Sequence, residues 1–290
     1  DNEQIDLAMN GYVYKMVKSI DFYSYAKEKL KTNPNIFWIQ EACEKVEKQN
    51  QMFKIKTTNK QIEAEYVFDS RIENKALENK KYPAVSQHFK GWIIETEEAT
   101  FQEDVFRMMD FRLGHGKDCC FTYVLPFSKT EALVEFTFFN HKLETDERYD
   151  ELLSEYIKRY LKIDSYTIKE TEAGVIPMSS YPFHKANESN YIKIGTAGGW
   201  VKSSSGYSFK RTTEKVAQLV DNLIAGRDLR HQLIKSKYLI YDRLFLSVLD
   251  RHNDLGNEVF VGMYRNNSAE IIFDFLDEKT NFLQEVGIMN

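Results

Sequence analysis

The 290-residue chain is long enough for one large or two ordinary domains, each with its own core. Its 44 acidic and 39 basic side chains give a net charge of −5, without the basic excess of a nucleic-acid binder, and sparse glycine (13) and proline (5) argue against disorder. No apolar run approaches the ~20 residues that cross a bilayer, and Asp1-Asn2-Glu3-Gln4 is neither basic nor apolar, so the opening reads as the start of a fragment rather than a leader.

Ile20, Phe22, Tyr25, Ala26 and Leu30 recur at helical spacing over residues 20–32, and Asn33-Pro34 stops them. Strand-like runs follow at 36–46, 52–57 and 62–69, joined by polar turns at Gln49-Asn50 and Asn59-Lys60, which predicts an antiparallel meander. Further strands are predicted at 87–97, 107–112, 119–127 and 132–140, an amphipathic helix at 152–161 and another strand at 166–178. Asp146 and Glu147 stand just ahead of that helix, as charges that favour its first turn. Many strands with few intervening helices favour an antiparallel sheet over a doubly wound one. Residues 191–195 form a short apolar strand running into Gly195-Thr196-Ala197-Gly198-Gly199. After the polar loop 202–206 a helix reaches Ile224, and the remainder is helical, led by a stretch at 229–249.

The glycine-rich strand-to-helix turn is the first candidate for chemistry. Glycines let a ligand approach the backbone closely, and a helix N-terminus offers unpaired N–H groups to an anion; a tight connection without a ligand has the same composition. Glu135 is the second. In the strand Leu133–Phe139 it shares a face with Leu133, Thr137 and Phe139. If that face is buried, its carboxyl holds a proton above the usual range, as protonation of an alkene requires; if it is exposed, Glu135 is an ordinary solvated glutamate. Asp110, another acid in an apolar strand, shares a face with Arg112, which allows either a structural ion pair or a direct role. Cys43, Cys119 and Cys120 form no CxxC pair and read as reduced thiols of a cytoplasmic protein. The six histidines show no HExxH spacing, so no metal site is expected, and neither a GxSxG elbow nor a P-loop occurs.

Several blocks, taken in order, resemble the bacterial lycopene beta-cyclases. They are Gln87–Trp92, Met109-Asp110-Phe111-Arg112, Phe121–Ser128, Glu131–Thr137, Gly174–Met178, Ile194–Gly199 and Ser204–Phe209. The resemblance spans at least residues 66–226. It implies an α/β (α+β) fold like that of the flavin-dependent hydroxylases. Residues 1–75 and 190–226 would belong to a Rossmann-type FAD domain, 76–189 to an antiparallel-sheet substrate domain, and 227–290 to a helical C-terminal region. It also implies a redox-neutral isomerisation beside reduced FAD, with NAD(P)H as reductant. An acid protonates the end of lycopene, the carbocation closes a ring, and proton loss gives the beta end group of gamma- and beta-carotene. On this resemblance Glu135 matches the acid/base and Asp110 a position that orients or holds charge. Gly195, Thr196, Ala197, Gly198, Gly199, Ser205, Gly206 and Arg71 match the flavin contacts. The family's opening Gly-x-Gly-x-x-Gly is absent from this sequence, and one acid stands at 135 where plant members have two adjacent. Lycopene and monocyclic carotenes would be the substrates, and the protein would sit peripherally on the cytoplasmic membrane surface, where basic amphipathic residues of 229–249 offer a face. The same stretch would also serve as a helix packed on its own domain. Two alternatives remain at this point: another flavin-dependent enzyme of the same fold, such as an isoprenoid reductase or hydroxylase, and a non-catalytic isoprenoid-binding module.

Overall fold

The structure, a computed structural model, describes residues 3–9, 11–73 and 77–289, so the expected domain boundary at 75/76 lies outside the described residues. Its centre is strand β8 (Glu131–Asn140), which is largely buried on both faces because both are covered. β8 is the third of five antiparallel strands, ordered β6-β7-β8-β5-β9, with β5 at Ala84–Glu95, β6 at Arg107–Asp110, β7 at Cys120–Pro126 and β9 at Thr167–Ser179.

The pleat sends alternate side chains to two cores. On one face Ala132, Val134, Phe136 and Phe138 join Trp92 and Ile94 against Tyr149, Leu152, Leu153 and Tyr156 of helix α2 (Asp146–Tyr156). On the other, Val85, Phe121, Phe139 and Met178 meet Leu246 and Leu249 of α4 (Ser236–Arg251) and Phe260 of α5 (Gly256–Asn266). Each buried aromatic or branched side chain contributes about 1.5–3 kcal/mol by leaving water, so the sheet is fixed from both sides. Two further helices, α6 (Ala269–Leu276) and α7 (Phe282–Met289), complete the C-terminal layer.

The rest of the strands lie apart from this sheet. β1 (Cys43–Gln49), β2 (Met52–Thr57) and β3 (Gln61–Ala64) form the expected meander. β4 (Val67–Asp69) pairs in parallel with β10 (Tyr191–Lys193), far away in sequence. Helix α3 (Phe209–Ile224) packs Leu219 against Ile192 and Trp200 in a third cluster with Leu229 and Leu233. Helix α1 (Ser19–Lys31) precedes the meander.

Several expected boundaries move, each for a local reason. Residues 36–42 are not strand: Phe37 and Trp38 point into solvent and, among the described residues, no strand pairs with them. The run 62–69 is divided, its first half closing the meander and its second half crossing to β10. Helix α2 starts at Asp146 rather than 152, because the Thr145 side chain accepts a hydrogen bond from Arg148 N and caps it. Asp146 and Glu147 therefore lie inside its first turn. Helix α4 starts at Ser236 rather than 229, since the carbonyls of Leu229 and Leu233 accept bonds from Asn222 Nδ2 (3.2 Å) and Lys215 Nζ (2.7 Å) instead. That helix packs Tyr238, Asp242, Leu246 and Leu249 inward.

Candidate active site

The sheet face that carries Phe121 and Phe139 does not close completely on the C-terminal helices. A cavity of about 450 Å³ remains, bounded by Met109, Tyr123 and Phe139 from the sheet, Ser204, Ser205 and Tyr207 from a loop, and residues of α4, α5, α6 and α7. The lining is mostly aromatic and thioether. A site of this size and lining suits an apolar ligand.

Glu135 lies on the same face. The register aligns Tyr123 of β7, Glu135 of β8, Gly91 of β5 and Glu172 of β9 in one row across the sheet. Gly91 is what lets that row close up: a Cβ on it would stand 3.3 Å from Glu135 Cβ, 3.3 Å from Glu172 Cγ and 2.9 Å from Leu133 Cδ1. The space a side chain would fill is bordered instead by Leu133 and the two carboxyl-bearing chains. Thr137 Oγ1 donates to Glu135 Oε1 at 3.0 Å. Burial of the carboxyl, reinforced by the neighbouring Glu172, pushes the Glu135 pKa up to about 8. Glu135 therefore holds a proton at neutral pH.

Beyond Tyr123 lie further phenols. Tyr14, Tyr123, Tyr207 and Tyr264 interact with one another, and burial raises the pKa of each. Tyr14 is also close enough to Glu135 to feel its charge. These neutral hydroxyls run from the acid toward the cavity wall, where Tyr123, Tyr207 and Tyr264 are exposed to the interior.

Asp110 is not brought together with Glu135. It pairs in register with Thr122, whose position puts it on the face covered by α2. There its carboxylate accepts from Arg112 Nε (2.9 Å) and Tyr156 Oη (2.6 Å). Burial works against the charge, but the Arg112 and Tyr156 bonds prevail and hold its pKa below the usual range.

The glycine-rich turn and Arg71 follow the adjoining ends of two paired strands. Because β4 and β10 are parallel, their C-terminal ends lie side by side, with Ile194 N bonded to Asp69 O at 3.0 Å. Arg71 follows one end and Gly195 the other. Buried Asp69 accepts from Arg71 Nε (2.9 Å), Tyr191 Oη (2.6 Å) and Lys193 Nζ (3.1 Å), and these bonds hold its pKa far below the usual range against the penalty of burial. The three glycines differ. Gly195 has φ +58° and open space where a Cβ would be, whereas a Cβ on Gly198 would fall on the Lys193 carbonyl and one on Gly199 would touch Phe183. Thr196 and Ala197 lie in the short 3₁₀ turn between them. Gly206, at φ +74°, lies directly over Gln87 of β5, which brings Ser205 to the cavity.

A buried ion pair fastens this second loop. Lys202 Nζ reaches Asp242 Oδ1 of α4 at 2.8 Å, and Ser204 Oγ reaches the same oxygen at 2.7 Å. Asp242 borders both the large cavity and a small cleft of about 20 Å³ beside Gly198 and Gly199. The sequence reading did not single out Gly91, Glu172, Tyr14, Tyr207 or the Lys202–Asp242 pair. Only Gly91 carried a local signal, since glycine inside a strand marks a close approach.

The fold is mixed α/β, with helices packed on antiparallel sheets. It matches a geranylgeranyl bacteriochlorophyll reductase-like protein of Thermoplasma acidophilum with a TM-score of 0.56 at 12% identity, over 92% of this chain and 73% of that one. Lower similarity is found to the flavin-dependent brominase Bmp2 (TM-score 0.47, 14% identity, 93% and 68% covered) and to halogenase PltM (0.44, 11%, 81% and 50%). The chain thus spans about half the length of the latter. None of the curated proteins matches the chain. Its sequence places it more narrowly: the family described as lycopene cyclase protein matches residues 1–289, and the chain belongs to that family.

Proposed function

We propose that this chain carries the catalytic sheet of a lycopene beta-cyclase, closing the linear ends of lycopene into beta rings to give gamma- and beta-carotene. The observation that carries the reading is Glu135, an acid that keeps its proton at neutral pH on the sheet face bordering an apolar cavity. The Glu135 carboxyl gives its proton to the terminal alkene of the bound end, forming a C–H bond and leaving a tertiary carbocation. The next alkene supplies the electron pair of the new ring bond. A ring C–H then loses its proton to the Glu135 carboxylate, and its electrons become the ring double bond. Aromatic walls at Tyr123, Phe139 and Phe260 exclude water that would trap the cation and present ring faces to it. Asp110, held ionised by Arg112, is assigned to orienting the edge strand β6.

The residues around Gly195 fit the ring end of a flavin. Gly195 is open on one side, Thr196, Ala197, Gly198 and Gly199 shape its turn, and Arg71 stands at the adjacent strand end, with Ser205 and Gly206 on the second loop. Reduced FAD, supplied with electrons by NAD(P)H, would contribute negative charge near the cation when bound. On this reading residues 1–75 and 190–226 belong to the flavin domain, 76–189 to the substrate domain and 227–290 to the helical region. Among the described residues no helix is long and apolar enough to cross a membrane. Exposed Ile240, Phe282 and Leu283 share helices α4 and α7 with the cavity-lining Leu244, Ile288 and Met289, which supports peripheral attachment to the cytoplasmic membrane surface.

The test is expression of the full-length gene in bacteria that accumulate lycopene, with pigments separated by chromatography. Gamma- and beta-carotene are expected, and Glu135→Gln, which keeps the shape but has no proton to give, is expected to lower their yield at least 100-fold, the lower range for a general acid. Unchanged lycopene with flavin-loaded protein would point to another flavoenzyme of this fold, and unchanged lycopene without flavin to a binding module.

A further inference from the structure

We propose that Glu172 is the residue that keeps the proton on Glu135, the two carboxyl groups sharing one proton over Gly91. This rests on the acid role given to Glu135 above and adds a second residue to it. The argument is geometric. β9 and β8 are not neighbours; β5 lies between them, and a side chain on the middle strand would ordinarily separate residues two strands apart. At this one row the middle residue is Gly91. Glu135 Cβ and Glu172 Cγ each come within 3.3 Å of the same point above it, beside Leu133 Cδ1. Two carboxylates at such a spot cannot both ionise cheaply, so the pair retains one proton.

Among the described residues, the other groups around the pair do not neutralise it. Tyr123 from β7 and Tyr14 from the N-terminal segment are neutral phenols, and Thr137 from β8 donates one hydrogen bond. Lys90, the adjacent cation on β5, is turned to the opposite face, where it pairs with Asp150 of α2 at 2.6 Å. The more buried member, Glu135, carries the proton; Glu172, on the outer strand, is exposed to water. In the proposed reaction Glu172 touches no substrate. It is a positioning residue that makes Glu135 protonated before the reaction and a good base after it.

The experiment is a titration of the full-length protein, with glutamate labelled at the side-chain carbon with ¹³C and read by NMR without substrate. Wild type is expected to show one carboxyl titrating near pH 8, absent in Glu135→Gln. In Glu172→Gln the same resonance is expected to titrate below 8 but above the ordinary 4.5, because burial remains while the neighbouring charge is gone. Glu170→Gln removes an equal charge from the same strand and is expected to leave the titration in place. A titration unmoved by Glu172→Gln, or moved as far by Glu170→Gln, overturns the proposal. Gly91→Ala supplies a second reading at the row itself: the wedge is expected to part the pair and to lower the titration as well, and an unchanged value counts against sharing. Since no carotene is needed, a chain without cyclase activity that still shows these shifts would refute the cyclase reading and leave the carboxyl pair standing.

Discussion

Asp110 and Glu135 are both acids in apolar strands, and their surroundings drive their protons in opposite directions. Asp110 is bonded by Arg112 and Tyr156, so its pKa is lowered, and the stability it contributes is present above the ordinary value of 3.8 and lost as the pH falls. Glu135 has a raised pKa. Its folded form binds a proton that the unfolded chain has released, so stability declines as the pH rises from 4.5 to about 8, and the loss is complete above 8. Removing the titrating group should remove that slope. Glu135→Gln is expected to be more stable than wild type at pH 9 by roughly 2 kcal/mol, discounted because the carboxyl keeps some contact with water, and about equal to it at pH 5. Thermal unfolding followed at both pH values checks this; parallel curves for the two proteins would mean that Glu135 is solvated. Asp110→Asn is expected to cost about 2 kcal/mol at pH 7, because Arg112 loses its carboxylate. The alternation of residues 133–139 told which side chains accompany Glu135. It could not tell what covers that face, because the covering helices come more than 100 residues later.

Elements were legible where local pattern decides them and not where distant partners do. The strands of the large sheet were readable to within about three residues, since turns and alternating apolar residues mark them. Helix α3 shows the opposite case. Its buried face is Arg211, Lys215, Leu219 and Asn222, while Val216, Val220 and Ile224 point outward. The polar residues go inward because they have partners there: Lys215 bonds Leu233 O, Asn222 bonds Leu229 O and His231 O, and Arg211 pairs with Glu278 at 2.9 Å. An apolar stripe alone predicts the reverse. The glycine-rich turn, too, looked uniform in sequence, yet its glycines have separate tasks. Gly198→Ala is expected to destabilise by about 2–3 kcal/mol, because the added methyl meets a backbone carbonyl that has no freedom to retreat. Gly195→Ala meets no atom and carries only the left-handed backbone penalty of about 1–2 kcal/mol. If Gly195 faces a flavin, its alanine variant should lose flavin binding out of proportion to that small change in stability, measurable by flavin retention on gel filtration.

At the scale of the whole molecule, the cavity and the C-terminal helices have to be considered together. A volume of about 450 Å³ suits a drug-sized group, so on the proposed reading it would take one end of a carotene and leave the remaining hydrocarbon outside. That remainder needs an apolar medium next to the opening. On that reading helix α7 would provide contact with one. Its buried residue is Glu285, which accepts from Lys237 Nζ at 2.6 Å and Tyr241 Oη at 2.8 Å, while Phe282 and Leu283 are 70% and 81% exposed. An amphipathic helix with its carboxylate inward and its large apolar side chains outward is stable in water only at a cost in exposed surface. The same helix lines the cavity with Ile288 and Met289. Inserting Phe282 and Leu283 into the headgroup boundary would remove much of their surface from water, worth about 1 kcal/mol or more for each when partly buried. Phe282→Ser combined with Leu283→Ser is therefore expected to weaken co-flotation with phosphatidylcholine–phosphatidylglycerol vesicles at least about tenfold, the equivalent of 1.4 kcal/mol. The double substitution faces solvent and leaves the Lys237–Glu285 anchor in place, so the fold should persist. Unchanged flotation of a folded double variant would remove α7 from membrane attachment and leave the exposed Ile240 and Leu244 of α4 as the next residues to replace.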